Sequence, residues 1–152
     1  MISKTIEIPD GYMLVETTDD NGEIIYRLKK DDYTKIRTFD DVKRILGEND
    51  KLVKTHSLLC QSSTEDVAYS VIARLRAEMI VKAFRNGMTF EEFNPKEIYS
   101  PLYIVDVQRL CITNNCHSTL SCPESLCINN KEKCEYMIEQ FCHYFIEYFK
   151  TI

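Results

Sequence analysis

The sequence predicts an α+β fold: antiparallel hairpins, one N-terminal and one over residues 101–129, with two main amphipathic helices packed on the sheet. Three observations lead there. Two β-rich runs flank the turn residues "TTDDNG" near the start, two long segments repeat apolar residues at helical spacing, and a second β-rich run precedes the last of them. At 152 residues, 44% of them hydrophobic, the chain is the size of one domain, residues 1–152, able to build one core without metals or cross-links. Its expected parts are an N-terminal hairpin (4–30), a helical middle (38–94), and a hairpin plus C-terminal helix (101–150).

The first hairpin carries Ile6, Ile8, Met13 and Val15 on one arm and Ile24, Ile25, Tyr26 and Leu28 on the other. Asp, Asn and Gly between them tolerate the left-handed backbone of a tight turn. Pro9 belongs at a strand start or a bulge, because it cannot donate to a ladder. The acidic turn "DDNGE" lacks the alternating ligands and distal glutamate of a calcium loop, so it reads as a plain turn.

"RTFDDVKRILGEND" punctuates a short helix. Thr38 is placed to cap, Asp41 follows three residues later, Gly47 ends it, and Phe39, Val42, Ile45 and Leu46 form its apolar face. "KLVKTHSLLCQ" reads as a helical turn or two with weak caps. The strongest helix is "SSTEDVAYSVIARLRAEMIVKAFRNG": Ser62 and Glu65 fit a capping box, Val67, Val71, Ile72, Leu75, Met79, Ile80, Ala83 and Phe84 supply its apolar face, and Asn-Gly stops it. Arg74, Glu78 and Lys82, four residues apart, form an ion-pair ladder. "MTFEEFNP" adds a helical turn closed by Pro95, "SPLYIVDVQRLCIT" reads as strand, "NNCHST" as the turn, and "LCINN" as one more strand. In the closing helix Cys134, Met137, Ile138, Phe141, Cys142, Phe145, Tyr148 and Phe149 share one face, with Glu132, Tyr136, Glu139, His143 and Glu147 opposite.

Composition narrows the function. A net charge of −5 and a pI near 5.3 argue against a protein whose main work is neutralising phosphates. From Arg27 to Arg44, however, seven basic side chains outnumber four acidic ones, leaving +3 there and −8 elsewhere. Lys29, Lys30, Lys35, Arg37, Lys43 and Arg44 are thus a candidate anion-binding strip, set against the plainer reading of a solvated surface. The N-terminus lacks a signal architecture and no apolar run spans a bilayer, so a cytoplasmic location is expected and no membrane partner.

Seven cysteines in a reducing compartment are expected as free thiols, metal ligands or small core residues. Zinc sites usually open with two cysteines separated by two to four residues. Only Cys111 to Cys116 and Cys122 to Cys127, each with four intervening residues, reach that range. Cys111, Cys116, His117, Cys122 and Cys127 are therefore the candidate zinc set, weighed against reversible oxidation and ordinary hairpin packing; no cofactor is the favoured reading. Cys60 with His56 one turn earlier is a candidate nucleophile and base, but no third orienting group or electropositive cleft is visible. A phosphate-binding glycine loop and the common metalloprotease and hydrolase motifs are absent, and Glu91-Glu92 reads as a solvated pair. No catalytic residue is assigned.

Three segments carry a resemblance. "IEIPDGYMLVE" with "RLKK", then "RTFDDVKRILG" with "IVKAFRNGM", then "LCINNKEKCEYMIEQF" (through Leu126, Cys127, Glu135, Tyr136, Gln140 and Phe141) resemble a group of small uncharacterised proteins of gut anaerobes and their tailed phages or prophages. Met88 stands where that group commonly has tryptophan, and "PES" precedes Leu126 in place of a Gly-Ser-Arg-like lead. The resemblance implies a phage or mobile-element setting and no chemistry. It also favours Cys127 as a packed residue over a ligand. The function expected is a non-catalytic protein working through protein–protein contacts, as a virion accessory or a modulator of a host factor, in the host cytoplasm or on a virion. Tyr136 and Tyr144, off the core face of the last helix, are its candidate contact residues. The alternatives are a zinc-stabilised binding module using the basic strip for nucleic acid, and an unrecognised small enzyme. A homo-oligomer is compatible with each.

Overall fold

The computed structural model describes residues 8, 9, 12–62, 66–88, 98–114 and 124–151. Among these, strands β1 (Tyr12–Thr18) and β2 (Ile24–Lys30) precede helices α1 (Phe39–Leu46), α2 (Lys51–Ser62) and α3 (Asp66–Phe84). Strands β3 (Tyr99–Ile104) and β4 (Arg109–Asn114) follow, then helices α4 (Lys131–Gln140) and α5 (Cys142–Lys150). Helices and two antiparallel two-stranded sheets make this an α+β chain. Where one domain is expected, contacts divide the chain into two compact units, Met1–Lys35 and Ile36–Ile152.

The first unit is built on the β1–β2 hairpin. Its register runs from Tyr12 opposite Lys30 to Thr18 opposite Ile24. Asp19 organises the turn: its carboxylate accepts from the N–H groups of Asn21 (3.0 Å) and Glu23 (2.8 Å), and Gly22 takes φ 79° to close it. The Tyr12 N–H donates to the Pro9 carbonyl, which places Pro9 just ahead of the strand. Part of the expected 4–30 hairpin, including Ile6, lies outside the described residues; strand pairing begins at Tyr12.

The second unit holds the core: Phe84, Phe141, Phe145, Met79, Ile80, Leu126, Ile128, Met137 and Val42 are fully buried. The α1 capping box forms as its sequence predicts. The Thr38 hydroxyl accepts from Asp41 N–H (3.2 Å), and the Asp41 carboxylate accepts from the N–H groups of Thr38 and Arg37 (3.0 Å each). Those backbone donors, Arg37 first, hold Asp41 below the ordinary carboxylate range. At the far end of α3, Asn86 and Gly87 both take positive φ, and the Gly87 N–H donates back to Lys82 O (2.9 Å).

Several expectations change. Residues 51–62 form a full helix, which Asp50 opens by accepting from Leu52 N–H at 2.8 Å. Ser62 is the last residue of that helix, while Glu65, its expected capping partner for α3, lies outside the described residues, as does the "MTFEEFNP" turn from Thr89 onward. On α3, Val71 is exposed rather than part of the apolar face. Arg74 pairs with Glu78 (3.1 Å), but Lys82 leaves the ladder to meet Asp50 (2.6 Å).

The run 100–113 is not one strand. It folds on itself at Val105–Gln108, where Gln108 takes φ 48° and its N–H donates to Val105 O, so β4 is the return arm of the hairpin. From "LCINN", Ile128 makes an isolated bridge to Tyr99. The closing helix breaks at Phe141 (φ −118°, ψ 26°) into α4 and α5, yet the expected face persists across the break, with Cys134, Met137, Ile138, Phe141, Phe145 and Tyr148 buried. The β3–β4 hairpin packs on α4 and α5, whereas α3 packs chiefly against α1, α2 and α5. Of two helices expected on the sheet, the C-terminal one makes the close contact, as a broken pair.

Candidate interaction surface

Among the described residues, the first hairpin has an exposed apolar face. Directly paired residues of an antiparallel ladder project to the same side, and successive residues alternate. One side of β1–β2 therefore carries four rows: Tyr12 with Lys30, Leu14 with Leu28, Glu16 with Tyr26, and Thr18 with Ile24. All eight side chains are exposed. The five large apolar ones, Tyr12, Leu14, Ile24, Tyr26 and Leu28, are 37–60% accessible. Isolated exposed apolar residues are ordinary on a protein surface, whereas five contiguous ones on one sheet face form a patch. The opposite side carries Arg27 and Lys29, both exposed, with Ile25 half-buried.

The strand pattern holds a signal for this surface. A hairpin with one covered face alternates apolar and polar residues, whereas "YMLV" and "IIY" place apolar residues at consecutive positions, and hence on both sides. A smaller apolar exposure lies at the β3–β4 turn of the second unit, where Val105 and Val107 are 74% and 64% accessible.

The expected contact tyrosines sit elsewhere and are engaged within the fold. The Tyr136 hydroxyl donates to the Ile36 carbonyl (3.2 Å), its ring lies 6.1 Å from that of Phe84, and the residue is half-buried. Tyr144, also half-buried, stacks on Phe39 with 5.3 Å between ring centres. The freely exposed tyrosines are Tyr12 and Tyr26 on the hairpin and Tyr69 on α3.

The basic strip is divided between the two units. Lys29, Lys30 and Lys35 belong to the first and Arg37, Lys43 and Arg44 to the second. Interleaved acids pair locally with its cations: Lys35 with Asp32 (3.7 Å), Lys43 with Asp40 (3.2 Å) and Arg44 with Asp41. These contacts are exposed i, i+3 pairs, the pattern of a solvated charged surface.

Of the candidate zinc set, Cys116, His117 and Cys122 lie outside the described residues. Cys111 is half-buried on β4 opposite Leu102, and Cys127 is buried beside the bridge residue Ile128. Cys134 is buried and Cys142 half-buried, in keeping with packing roles, and His143 is exposed. Among the described residues no group of three or more His, Cys, Asp or Glu side chains is arranged to hold a metal.

His56 and Cys60 do meet, at 3.5 Å between Nε2 and Sγ on successive turns of α2. An orienting group absent from the sequence reading also appears: the Arg76 Nε–H donates to His56 Nε2 (3.2 Å). The lone pair that would receive the thiol proton is thus already engaged. Burial, then the Arg76 and Lys43 charges, push the imidazole pKa below its ordinary value. Phe39 lies against its ring at 5.4 Å, so His56 has the surroundings of a packed core histidine, and its lowered basicity and engaged Nε2 oppose proton abstraction from Cys60.

Among the described residues no helix is long and apolar enough to cross a membrane. Compared with protein-family models, curated proteins and solved structures, the chain matches none.

Proposed function

We propose that this is a non-catalytic protein that works through protein–protein contacts, with the exposed face of the β1–β2 hairpin as its contact surface. The observation that carries the reading is the run of five large apolar side chains on that face. A two-stranded hairpin alone is at best marginally stable in water, so a covering surface would both complete its fold and define its task. The His56 imidazole, whose Nε2 already accepts from Arg76, supports a non-catalytic role. The resemblance of its segments to small phage and prophage proteins suggests the setting: a virion accessory or a modulator of a host factor, acting in a bacterial cytoplasm. On this reading the basic strip is solvated surface, nucleic acid is not the partner, and no cofactor is needed.

The test is quantitative affinity capture from the native host, comparing the wild-type chain with the Leu14→Lys/Leu28→Lys double variant. Both lysines fall at exposed strand positions, so the second unit should melt unchanged. The reading predicts a near-stoichiometric protein bound to the wild type and depleted on the variant. Equal recovery on both would refute it.

A further inference from the structure

We infer that the occupant of the hairpin face is a second copy of this chain, the two hairpins stacking face to face about a two-fold axis that runs along the strands. This inference rests on the docking reading above and names its partner.

Area is the first argument. Taking roughly 200 Å² for a large side chain fully exposed, five residues at 37–60% accessibility present on the order of 500 Å². Two such faces bury about 1,000 Å² together, the lower bound of a specific interface. A stack of two hairpins is also the smallest sandwich in which each sheet covers the other, with layers about 10 Å apart.

The second argument is self-complementarity. A two-fold along the strands lays β1 of one copy over β2 of the other at the same row. Leu14 then faces the partner's Leu28, and Thr18 faces the partner's Ile24. Tyr12 faces the partner's Lys30, a cation over an aromatic ring, and Glu16 faces the partner's Tyr26, a carboxylate beside a phenol hydroxyl. No like charges meet. The other in-plane two-fold, across the strands, sets Leu14 against the partner's Glu16 and Lys30 against the partner's Ile24, burying both charges on aliphatic groups. The face is also neutral, with one Glu16 for one Lys30, so two copies approach it without the repulsion that a net charge of −5 imposes elsewhere. An isologous contact of this kind is the commonest route to a symmetric dimer.

Sedimentation equilibrium of the full chain over concentrations from about 1 μM to 1 mM tests the inference. The expected mass rises from 17.8 kDa to twice that value for the wild type, and stays at one chain for Leu14→Lys/Leu28→Lys. Lys30→Glu, which leaves every apolar residue in place, should weaken dimerisation of the order of tenfold at low salt. Adding Glu16→Lys restores neutrality and should recover it. A monomeric wild type, or a dimer indifferent to the double lysine variant, overturns the second-copy inference. Affinity capture then judges the reading beneath it: the untagged chain recovered on the wild type and lost on Leu14→Lys/Leu28→Lys supports both, a different protein lost on that variant keeps the contact face with another occupant, and equal recovery of every bound protein, the untagged chain included, removes both.

Discussion

Asp50 shows how one side chain joins two parts of the second unit. It opens α2 through Leu52 N–H and reaches across to Lys82 on α3 at 2.6 Å, with its own side chain 10% and that of Lys82 19% accessible. Burial raises its pKa, but the Lys82 hydrogen bond and charge, aided by the N–H groups of Leu52 and Val53, outweigh burial and hold it below the ordinary 3.8. A depressed carboxyl stabilises the fold above its unfolded value and loses that contribution as pH falls through the folded one. Asp50→Asn should therefore cost about 2 kcal/mol at neutral pH, read by urea unfolding, and flatten the acid limb of the stability curve below pH 3.8. His56 follows the same sign for a different reason. Its pKa is lowered, so the unfolded chain takes up a proton first, and stability falls as pH drops below 6.5. His56→Gln should flatten the curve just below that pH. Neither role was legible locally: Asp50 depends on a lysine 32 residues away, and the Arg76 contact to His56 spans 20.

At the scale of elements, what was legible follows from short-range chemistry. Thr38 and Asp41 satisfy orphan backbone donors three residues apart, a pattern visible in "TFDD", and the structure forms both bonds. Thr38→Ala should lower stability by about 1 kcal/mol, measurable by thermal unfolding. The Asn86-Gly87 stop was equally plain, because few other residues accept positive φ. Breaks without such residues were hidden. The β3–β4 turn is Val-Asp-Val-Gln, whose apolar alternation continues the strand pattern and whose Gln108 takes a positive φ more typical of Asn or Gly. Likewise the break at Phe141 interrupts the helix without interrupting its apolar period, since Phe141 itself remains buried between α4 and α5.

For the whole molecule, the apolar surplus lies in two different places. In the second unit it is enclosed, down to the edge-to-face pair of Phe84 and Phe141 at 5.9 Å; in the first it is displayed on one hairpin face. The α+β class was readable from composition and period, but the division into two units was not, because a stretch such as "KKDDYTKI" lacks the Gly, Pro or Ser enrichment of a linker. Helical period picks out residues off one helix's core face, such as Tyr136 and Tyr144, but not whether a neighbouring element covers them. Tyr136 meets the Ile36 carbonyl 100 residues away, and Tyr144 meets Phe39. The doubly apolar strands were the better guide to the surface.

Amide hydrogen exchange, resolved along the chain by mass spectrometry, tests the proposed docking face when the protein at high dilution is compared with the proposed assembly. Fast exchange over residues 12–30 in the dilute protein and strong protection of the same amides in the assembly, with α3 equally protected in both, is the expected result. A hairpin already protected at high dilution, or one whose exchange is unchanged on assembly, would contradict it.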